Sequence, residues 1–325
     1  MKKKCVLVVG GAGFIGSYVN KCLNRAGYNT IVLDNLSKGH RNAVCYGTFI
    51  EGDIADKKLL NQIFQTHSID AVMHFAGLTD VGESMRDPLK YYINNVAYTL
   101  NLLESMQEHA VNNFIFSSSA AIFGVPQKPF IDVDHPQIPI NPYGQSKLMV
   151  ETILKDLSNL RHLKYCSFRY FNAAGGDPDG EIKNYRTKEN NLIPVILQNL
   201  QSKIPVTING TDYPTFDGTC IRDYVHIHDI ATAHISAMER LFNGYPSACY
   251  NLGNGSGFSI KQVIESVERM TNQKVITIEG ARRDGDPHSL VACSDKAKKE
   301  LGWQPLYPDL DLMVSHAWQA LDFVR

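Results

Sequence analysis

The chain has 325 residues, with 32 Lys and Arg against 33 Asp and Glu, for a formal charge of −1. That balance excludes a surface governed by net positive charge, so no nucleic acid is expected as a partner. Hydrophobic residues at 44% and charged residues at 20% make a globular composition of about two domain lengths, and no apolar run approaches the roughly 18 residues that cross a bilayer, so no membrane partner is expected.

In chain order, Lys2, Lys3 and Lys4 precede the apolar run Cys5–Val9. An apolar run this short falls below the roughly 7–15 residues of a secretory core, so it reads as a buried first strand. Further strands are predicted at Thr30–Leu33, Thr48–Ile50, Ala71–Phe75, Phe114–Ser117 and Tyr165–Arg169. Their near-continuous apolar character is that of parallel strands covered on both faces. Helical patterns lie between them, near 14–26, 57–66, 89–109 and 143–160. The alternation predicts an α/β fold built on a doubly wound parallel sheet.

After Asn172 the pattern changes. Residues 173–190 are rich in Gly, Asp and Asn and read as a long loop; helical patterns follow at 191–203, 229–242, 259–271 and 309–323. The expected division is a first domain over 1–172, rejoined by about 221–243, and a smaller α/β C-terminal lobe over 173–325. Ser259 and Gln262 form a capping-box signature. The cysteines at 5, 22, 45, 166, 220, 249 and 293 are scattered and never form CxxC, so neither a disulfide framework nor a zinc ribbon is expected. Reduced thiols fit a cytoplasmic location.

Gly10-Gly-Ala-Gly13-Phe14-Ile15-Gly16 follows the first strand and opens a helix. The glycines permit a tight turn and close approach of backbone to a pyrophosphate, while the helix start faces the anion. An ordinary tight turn would need no more. Asp34, however, ends the second strand, where a carboxylate accepts from adenosine ribose hydroxyls and repels a 2′-phosphate. Strand, loop, helix and acid together predict a dinucleotide site, with NAD favoured over NADP. Asp53-Ile54 could flank the adenine; a helix-capping Asp53 is the other reading.

Tyr143-Gly-Gln-Ser-Lys147 places a phenol and an ammonium on one helix face. Nearby positive charge favours phenolate, which would make Tyr143 a general base near neutral pH. A solvated helix face would show the same spacing. Ser119, at the carboxyl end of a predicted strand, could bond a reacting oxygen, although a turn serine is the plainer reading. Ligands bind beyond the carboxyl ends of strands in open α/β sheets, which favours the three acting together. His226-Ile-His228-Asp229 could converge two imidazoles, but no third ligand is evident and Asp229 reads as a helix N-cap, so no metal is expected. Arg222 and Arg283 offer forked donors for a diphosphate; surface ion pairs with Asp223 or Asp284 are the ordinary alternative.

These motifs together resemble the extended short-chain dehydrogenase/reductase superfamily and, within it, the UDP-glucose 4-epimerase family. The segments are GGAGFIGS (10–17), LDNLSKG (33–39), EGDI (51–54), HFAGL (74–78) with VGES (81–84), YYINNV (91–96), FSSSAAIFG (116–124), PYGQSKLMVE (142–151), RYFNAAGG (169–176), NNLIP (190–194), DYPTFDGTCIRDYVHIHD (212–229), YNLGNG (250–255) and ARRDGD (281–286). They span nearly the whole chain in family order, and the last, with DYPT and RDY, are the most specific to the epimerases. The resemblance implies a Rossmann-like first domain, a UDP-sugar-binding second lobe and a homodimer through helices near 89–109 and 143–160. It implies Ser119, Tyr143 and Lys147 as the catalytic group. The NAD site would be lined by Phe14, Ile15, Asp34, Asn35, Asp53, Ile54, Phe75, Ala76, Gly77, Asn94, Lys147 and Phe171. The UDP-sugar would be held by Asn172, Asn191, Leu192, Arg222, Tyr224, Arg283 and Asp286.

The activity so implied is reversible C4 epimerisation of UDP-glucose and UDP-galactose through a 4-keto intermediate, with tightly bound NAD. Ala120-Ala121 lacks the acid pair that a 4,6-dehydratase would need, whereas a uronate-processing relative stays open. An NAD-binding sensor without catalysis is disfavoured by the intact Ser119, Tyr143 and Lys147. Thr79-Asp80 departs from the family's Lys-Ala, which puts one cofactor contact in doubt, and Phe123 stands for its tyrosine. Leu290, at the position thought to gate the sugar pocket, should crowd an N-acetyl group and favour glucose and galactose.

Overall fold

The computed structural model describes residues 3–185, 191–283 and 286–321. The first half contains β1 (Cys5–Val9), α1 (Phe14–Arg25), β2 (Asn29–Asp34), β3 (Thr48–Glu51), α2 (Lys57–Thr66), β4 (Ala71–His74), α3 (Val81–Arg86), α4 (Pro88–Tyr92), a π-helical turn (Ile93–Ala97), α5 (Tyr98–Glu108), β5 (Asn113–Ser119), β6 (Phe130–Ile131), α6 (Pro142–Arg161) and β7 (Lys164–Tyr170). The second half adds β8 (Asn172–Ala174), α7 (Leu192–Ser202), β9 (Val206–Asn209), β10 (Ile221–Arg222), β11 (Tyr224–His226), α8 (Ile227–Phe242), β12 (Ala248–Leu252), β13 (Phe258–Ser259), α9 (Ile260–Thr271), β14 (Thr277–Gly280), β15 (Ser289–Ala292), α10 (Asp295–Leu301) and α11 (Leu310–Ala320).

The main sheet has seven strands in the order β12-β7-β5-β4-β1-β2-β3. Every pairing within it is parallel. Successive residues of β1 enter opposite cores, as the strand period requires. Val6 and Val8 pack with Val19 and Leu23 of α1 and Ala233 and Ala237 of α8. Leu7 and Val9 pack with Leu60 of α2, Leu102 of α5 and Leu154 of α6. Helices therefore cover both faces, and the strand order reverses at β1 and β4, the point where such sheets bind ligands.

The sequence reading halts its return to the first domain at about 243, but the sheet takes a further strand, β12, over 248–252. The loop read over 173–190 begins with β8, which pairs in parallel with β11. The pattern near 89–109 is broken by the π-helical turn, and the short helix α3 precedes it. Residues 186–190 of the loop and 322–323 of the final helical pattern lie outside the described residues.

The C-terminal lobe has its own core, formed by Ile193, Ile196 and Leu197 of α7, Val263 and Val267 of α9, and Met313 and Val314 of α11. Above it a four-stranded sheet runs β13-β10-β15-β6. A small apolar cluster of Ile122, Phe123 and Ile131 joins the two halves, with Phe171 and Leu290 packed against it.

One cap differs from its reading. Asp229 does not cap α8; the imidazole of His226 does, accepting from the His228 amide at 3.0 Å. Asp229 lies inside the first turn, and its carboxylate accepts from the amides of Leu306 and Tyr307 at 2.7 and 3.1 Å. Two amides on a distant loop outbid the local cap. The Ser259–Gln262 capping box is formed as read.

Candidate active site

Gly10 has φ of +79°, and a Cβ there would lie 2.4 Å from the Ala76 amide nitrogen. Only glycine allows this left-handed turn with the end of β4 so close behind it. The Phe75 and Ala76 amides both donate to the Val9 carbonyl oxygen, at 2.8 and 3.2 Å. Helix α1 opens at Gly13 with no side-chain cap, so its positive end faces the mouth of the loop. Asp34 is buried at the end of β2 and accepts from the amides of Ala12 and Leu36 at 2.9 and 2.8 Å. Burial raises its pKa, and those two hydrogen bonds oppose the rise.

Asn35 donates to Asp53 at 2.6 Å. Asp53 itself accepts from the Ala55 amide at 2.8 Å, while Asp56 caps α2. The capping reading of Asp53 is thus replaced by a tight turn that presents it beside Asn35. Ile54 is buried in the core under α2 and α5, and Ile15 packs against the other core. The Phe75 ring lies 5.1 Å from His234. A cleft opens on the glycine loop, lined by Gly13, Phe14, Lys38, His40, Asp177 and Tyr185 among others. Ser119, Tyr143 and Lys147 do not line it. The loop, the uncapped helix end and the Asp34–Asn35–Asp53 corner fit a dinucleotide: backbone for phosphate, carboxylates for ribose.

Helix α6 enters through Asn141, whose side chain accepts from the Gly144 amide at 2.8 Å, with Pro142 at the first helical position. Pro fits there because that amide has no helical partner. Tyr143 and Lys147 then share the face turned to β5. Ser119 ends that strand and accepts from the Ala121 amide at 3.1 Å, so it caps the following turn. It also interacts with Tyr143, so the turn-capping serine lies beside the phenol. Lys147 Nζ donates to the Ser117 carbonyl oxygen at 2.8 Å. A Cβ on Gly77 would come within 3.4 Å of that ammonium, so the glycine keeps the path from the cofactor corner to Lys147 open.

The sequence reading has positive charge pulling the Tyr143 phenol down. In the structure burial pushes it up, and the Ser119 interaction opposes this. The cause is the low polarity of the site, which disfavours phenolate. Burial also brings Lys147 down to about 8, with Glu151 resisting.

Several neighbours are legible only in three dimensions. Tyr91 is fully buried and meets the Tyr143 ring edge-on, centroids 6.5 Å apart. Its hydroxyl donates to the Asp80 carbonyl oxygen at 2.6 Å, and the Asp80 side chain caps α3. The contact to Tyr91 uses the backbone of Asp80, so what the departure at Thr79-Asp80 adds is the side-chain cap of α3. Asn95 accepts from the Leu78 amide at 2.8 Å and donates to Ser146 at 3.1 Å. The buried amide beside Gly77 is therefore Asn95; Asn94 is half-buried in the same π-helical turn.

Arg222 forms an ion pair with Asp286, not with Asp223. The Asp223 carboxylate is committed to the amides of Asn254, Gly255 and Ala292, at 2.6, 2.9 and 2.9 Å. Arg222 pairs in register with Leu290, which brings Arg222, Asp286 and Leu290 together. Asn172 Nδ2 donates to the Asp223 carbonyl oxygen at 2.7 Å. The guanidinium of Arg283 lies 3.1 and 3.3 Å from the side-chain amide of Asn209, which accepts from it with the amide oxygen and nitrogen exchanged. Asn191 is half-buried at the start of α7 without a side-chain cap bond, and Leu192 packs against the lobe core.

Tyr224 is 3% exposed and packs with the lobe core, in register with Asn172 on β8. The two histidines of the HIHD segment diverge. His226 meets His316 at 3.1 Å, and His228 meets Tyr18 at 3.0 Å. Asn190, Asp284 and Gly285 of the quoted segments lie outside the described residues.

A parallel sheet with an uncapped helix at its switch point and a serine, tyrosine and lysine beyond its carboxyl edge is the frame of a nucleotide-dependent oxidoreductase-type enzyme. The chain belongs to the NAD dependent epimerase/dehydratase family, whose model matches residues 6–253. It is 49% identical over 314 residues to the UDP-glucose 4-epimerase of Halalkalibacterium halodurans, covering 96% of this chain and 94% of that one. The fold superposes with a TM-score of 0.95 on the UDP-glucose 4-epimerase of Brucella ovis in complex with NAD, at 44% identity over 97% of each chain. It superposes with a TM-score of 0.91 on the Bifidobacterium longum enzyme in complex with NAD+ and UDP, at 34% identity over 97% of each chain.

Proposed function

We propose that this protein interconverts UDP-glucose and UDP-galactose by inverting C4, using tightly held NAD. The observation that carries the reading is the meeting of Ser119, Tyr143 and Lys147 beside Gly77, one strand from the glycine loop. NAD supplies the hydride acceptor, and its oxidised ring adds a positive charge that favours phenolate. Tyr143 Oη takes the proton of the C4 hydroxyl, and Ser119 Oγ bonds the same oxygen. Lys147 holds the ammonium charge that keeps the tyrosine oxygen anionic. Arg222 and Arg283 hold the diphosphate, so the 4-keto sugar turns over on a fixed anchor. Tyr143 would give its proton back to the C4 oxygen once the sugar presents its other face to the bound cofactor, which would complete the inversion.

Asp34, held by two amides, selects NAD over NADP by repelling a 2′-phosphate. Leu290 narrows the sugar pocket and favours glucose and galactose over N-acetylhexosamines. The protein works as a homodimer in the cytoplasm, joined through α4, the π-helical turn, α5 and α6, where Leu89 is 69% and Ile93 49% exposed. No helix among the described residues is long and apolar enough to cross a membrane.

The test is incubation of purified protein with UDP-galactose or UDP-N-acetylgalactosamine, without added NAD, and chromatography of the products. UDP-glucose alone is the expected product. Conversion of both sugars would remove the Leu290 argument. Conversion of neither, with NAD retained, would overturn the substrate assignment.

A further inference from the structure

Three consecutive serines at the end of β5 meet three positions of α6. Ser117 accepts from Lys147 through its carbonyl oxygen at 2.8 Å, and Ser119 meets Tyr143. Between them, the Ser118 hydroxyl donates to Glu151 at 2.5 Å. Glu151 lies one helical turn beyond Lys147, on the same face. Arg169 of β7 is the register partner of Ser118. It grips Glu151 with Nε at 3.1 and 3.2 Å and Nη2 at 2.7 Å, and its Nη1 donates to the Val133 carbonyl oxygen at 2.8 Å. Ser118, Glu151 and Arg169 are 3%, 6% and 3% exposed.

A buried ion pair is not by itself a source of stability, since desolvation offsets the attraction. What this one supplies is register. The bidentate fork fixes Glu151 against two neighbouring strands at once. Helix α6 thus cannot slide along β5 without breaking it. We propose that Ser118, Glu151 and Arg169 are positioning residues that lock α6 against β5 and so bring Tyr143 to Ser119 and hold Lys147 in place. The inference rests on the catalytic reading of Ser119, Tyr143 and Lys147.

Glu151 also acts by charge. It favours the Lys147 ammonium, which burial alone drives down. The other titratable groups facing this pair are Tyr143 on α6, His74 on β4, Arg169 and Tyr165 on β7, and Cys249 on β12. Neither His74, held neutral by burial, nor Arg169 can replace the negative charge on Glu151.

The experiment uses Glu151→Gln and Ser118→Ala holoenzymes, with turnover of UDP-galactose measured from pH 6 to 10. In Glu151→Gln, kcat at pH 7 should fall at least tenfold, with KM and bound NAD within twofold of the parent. The alkaline limb should move to lower pH by about one unit, because the ammonium loses its counter-charge and deprotonates sooner. Ser118→Ala keeps the ion pair and should lower kcat severalfold with the limb in place. It also serves if Glu151→Gln, with Arg169 left unpaired, fails to fold. Parent-like kcat in Ser118→Ala, or an unmoved limb in folded Glu151→Gln, overturns the proposal. Tyr143→Phe run alongside separates the two readings: if it retains turnover, the catalytic assignment itself fails, whereas an inactive Tyr143→Phe beside parent-like positioning variants removes only this inference.

Discussion

Gly144 and Ala121 approach so closely that a Cβ on the glycine would lie 2.4 Å from the Ala121 carbonyl oxygen. This contact sets how near the start of α6 comes to the turn after β5, and so how near Tyr143 comes to Ser119. Gly144→Ala should therefore push the two elements apart. Overpacking of this kind costs about 1–3 kcal/mol, visible as a lowered thermal midpoint, and turnover should fall at least tenfold even at temperatures where the variant is folded.

Tyr143→Phe removes the proton acceptor and little else, since the ring keeps its edge-on contact with Tyr91. Turnover of UDP-galactose should drop by about 10³-fold or more, on the scale of losing a general base. UDP binding by calorimetry should stay within a few fold of the parent. Substantial residual turnover would remove Tyr143 from the mechanism.

Arg222→Ala deletes the proposed diphosphate donor and removes the ion-pair partner of Asp286. KM for UDP-galactose should rise tenfold or more while the retained NAD is unchanged, because Arg222 is remote from the glycine loop. A change confined to kcat would place Arg222 elsewhere in the mechanism.

Leu290→Ala shortens the side chain proposed to gate the sugar pocket. UDP-N-acetylgalactosamine turnover should rise relative to UDP-galactose by tenfold or more. Equal ratios in parent and variant would show that the pocket is limited by another group.

Acid should weaken the fold through buried histidines. His74, His226 and His234 are each 2% exposed or less and held down to about 3, chiefly by burial. They stay neutral in the folded chain while the unfolded chain takes up protons as the pH falls through about 6.5. Stability is thus full above that value and is lost between about 6.5 and 3, by about 1 kcal/mol per histidine at one unit below. The buried Asp34, Asp223 and Asp229 are raised by burial and oppose this at lower pH. The urea midpoint should therefore fall between pH 7.5 and 5.5; a flat midpoint would contradict the argument.

The parts of the site legible in the sequence are those built over short spans. The glycine loop, Asp34, the Asn141-Pro142 entry and the Tyr143–Lys147 spacing are local, and each follows from backbone rules acting within a few residues. What escaped is long-range. Arg222 finds Asp286 across 64 residues, and Asp229 serves amides 77 and 78 residues away. No spacing rule reaches that far. Tyr224 is placed by the resemblance alone, and only the strand pairing shows that it packs with the lobe core beside Asn172. Asn95 and Asn94 were indistinguishable without the π-helical turn, which rotates one inward.

The cluster of Ile122, Phe123 and Ile131 has both Phe171, which follows β7, and Leu290 of β15 packed against it. Ile122 and Phe123 belong to the turn that Ser119 caps. With Leu290 as the proposed sugar gate and Ser119 as the proposed catalytic serine, a mutation that admits a bulkier sugar would reach the serine through this cluster, so broadened specificity and altered rate should arise as one evolutionary event rather than two.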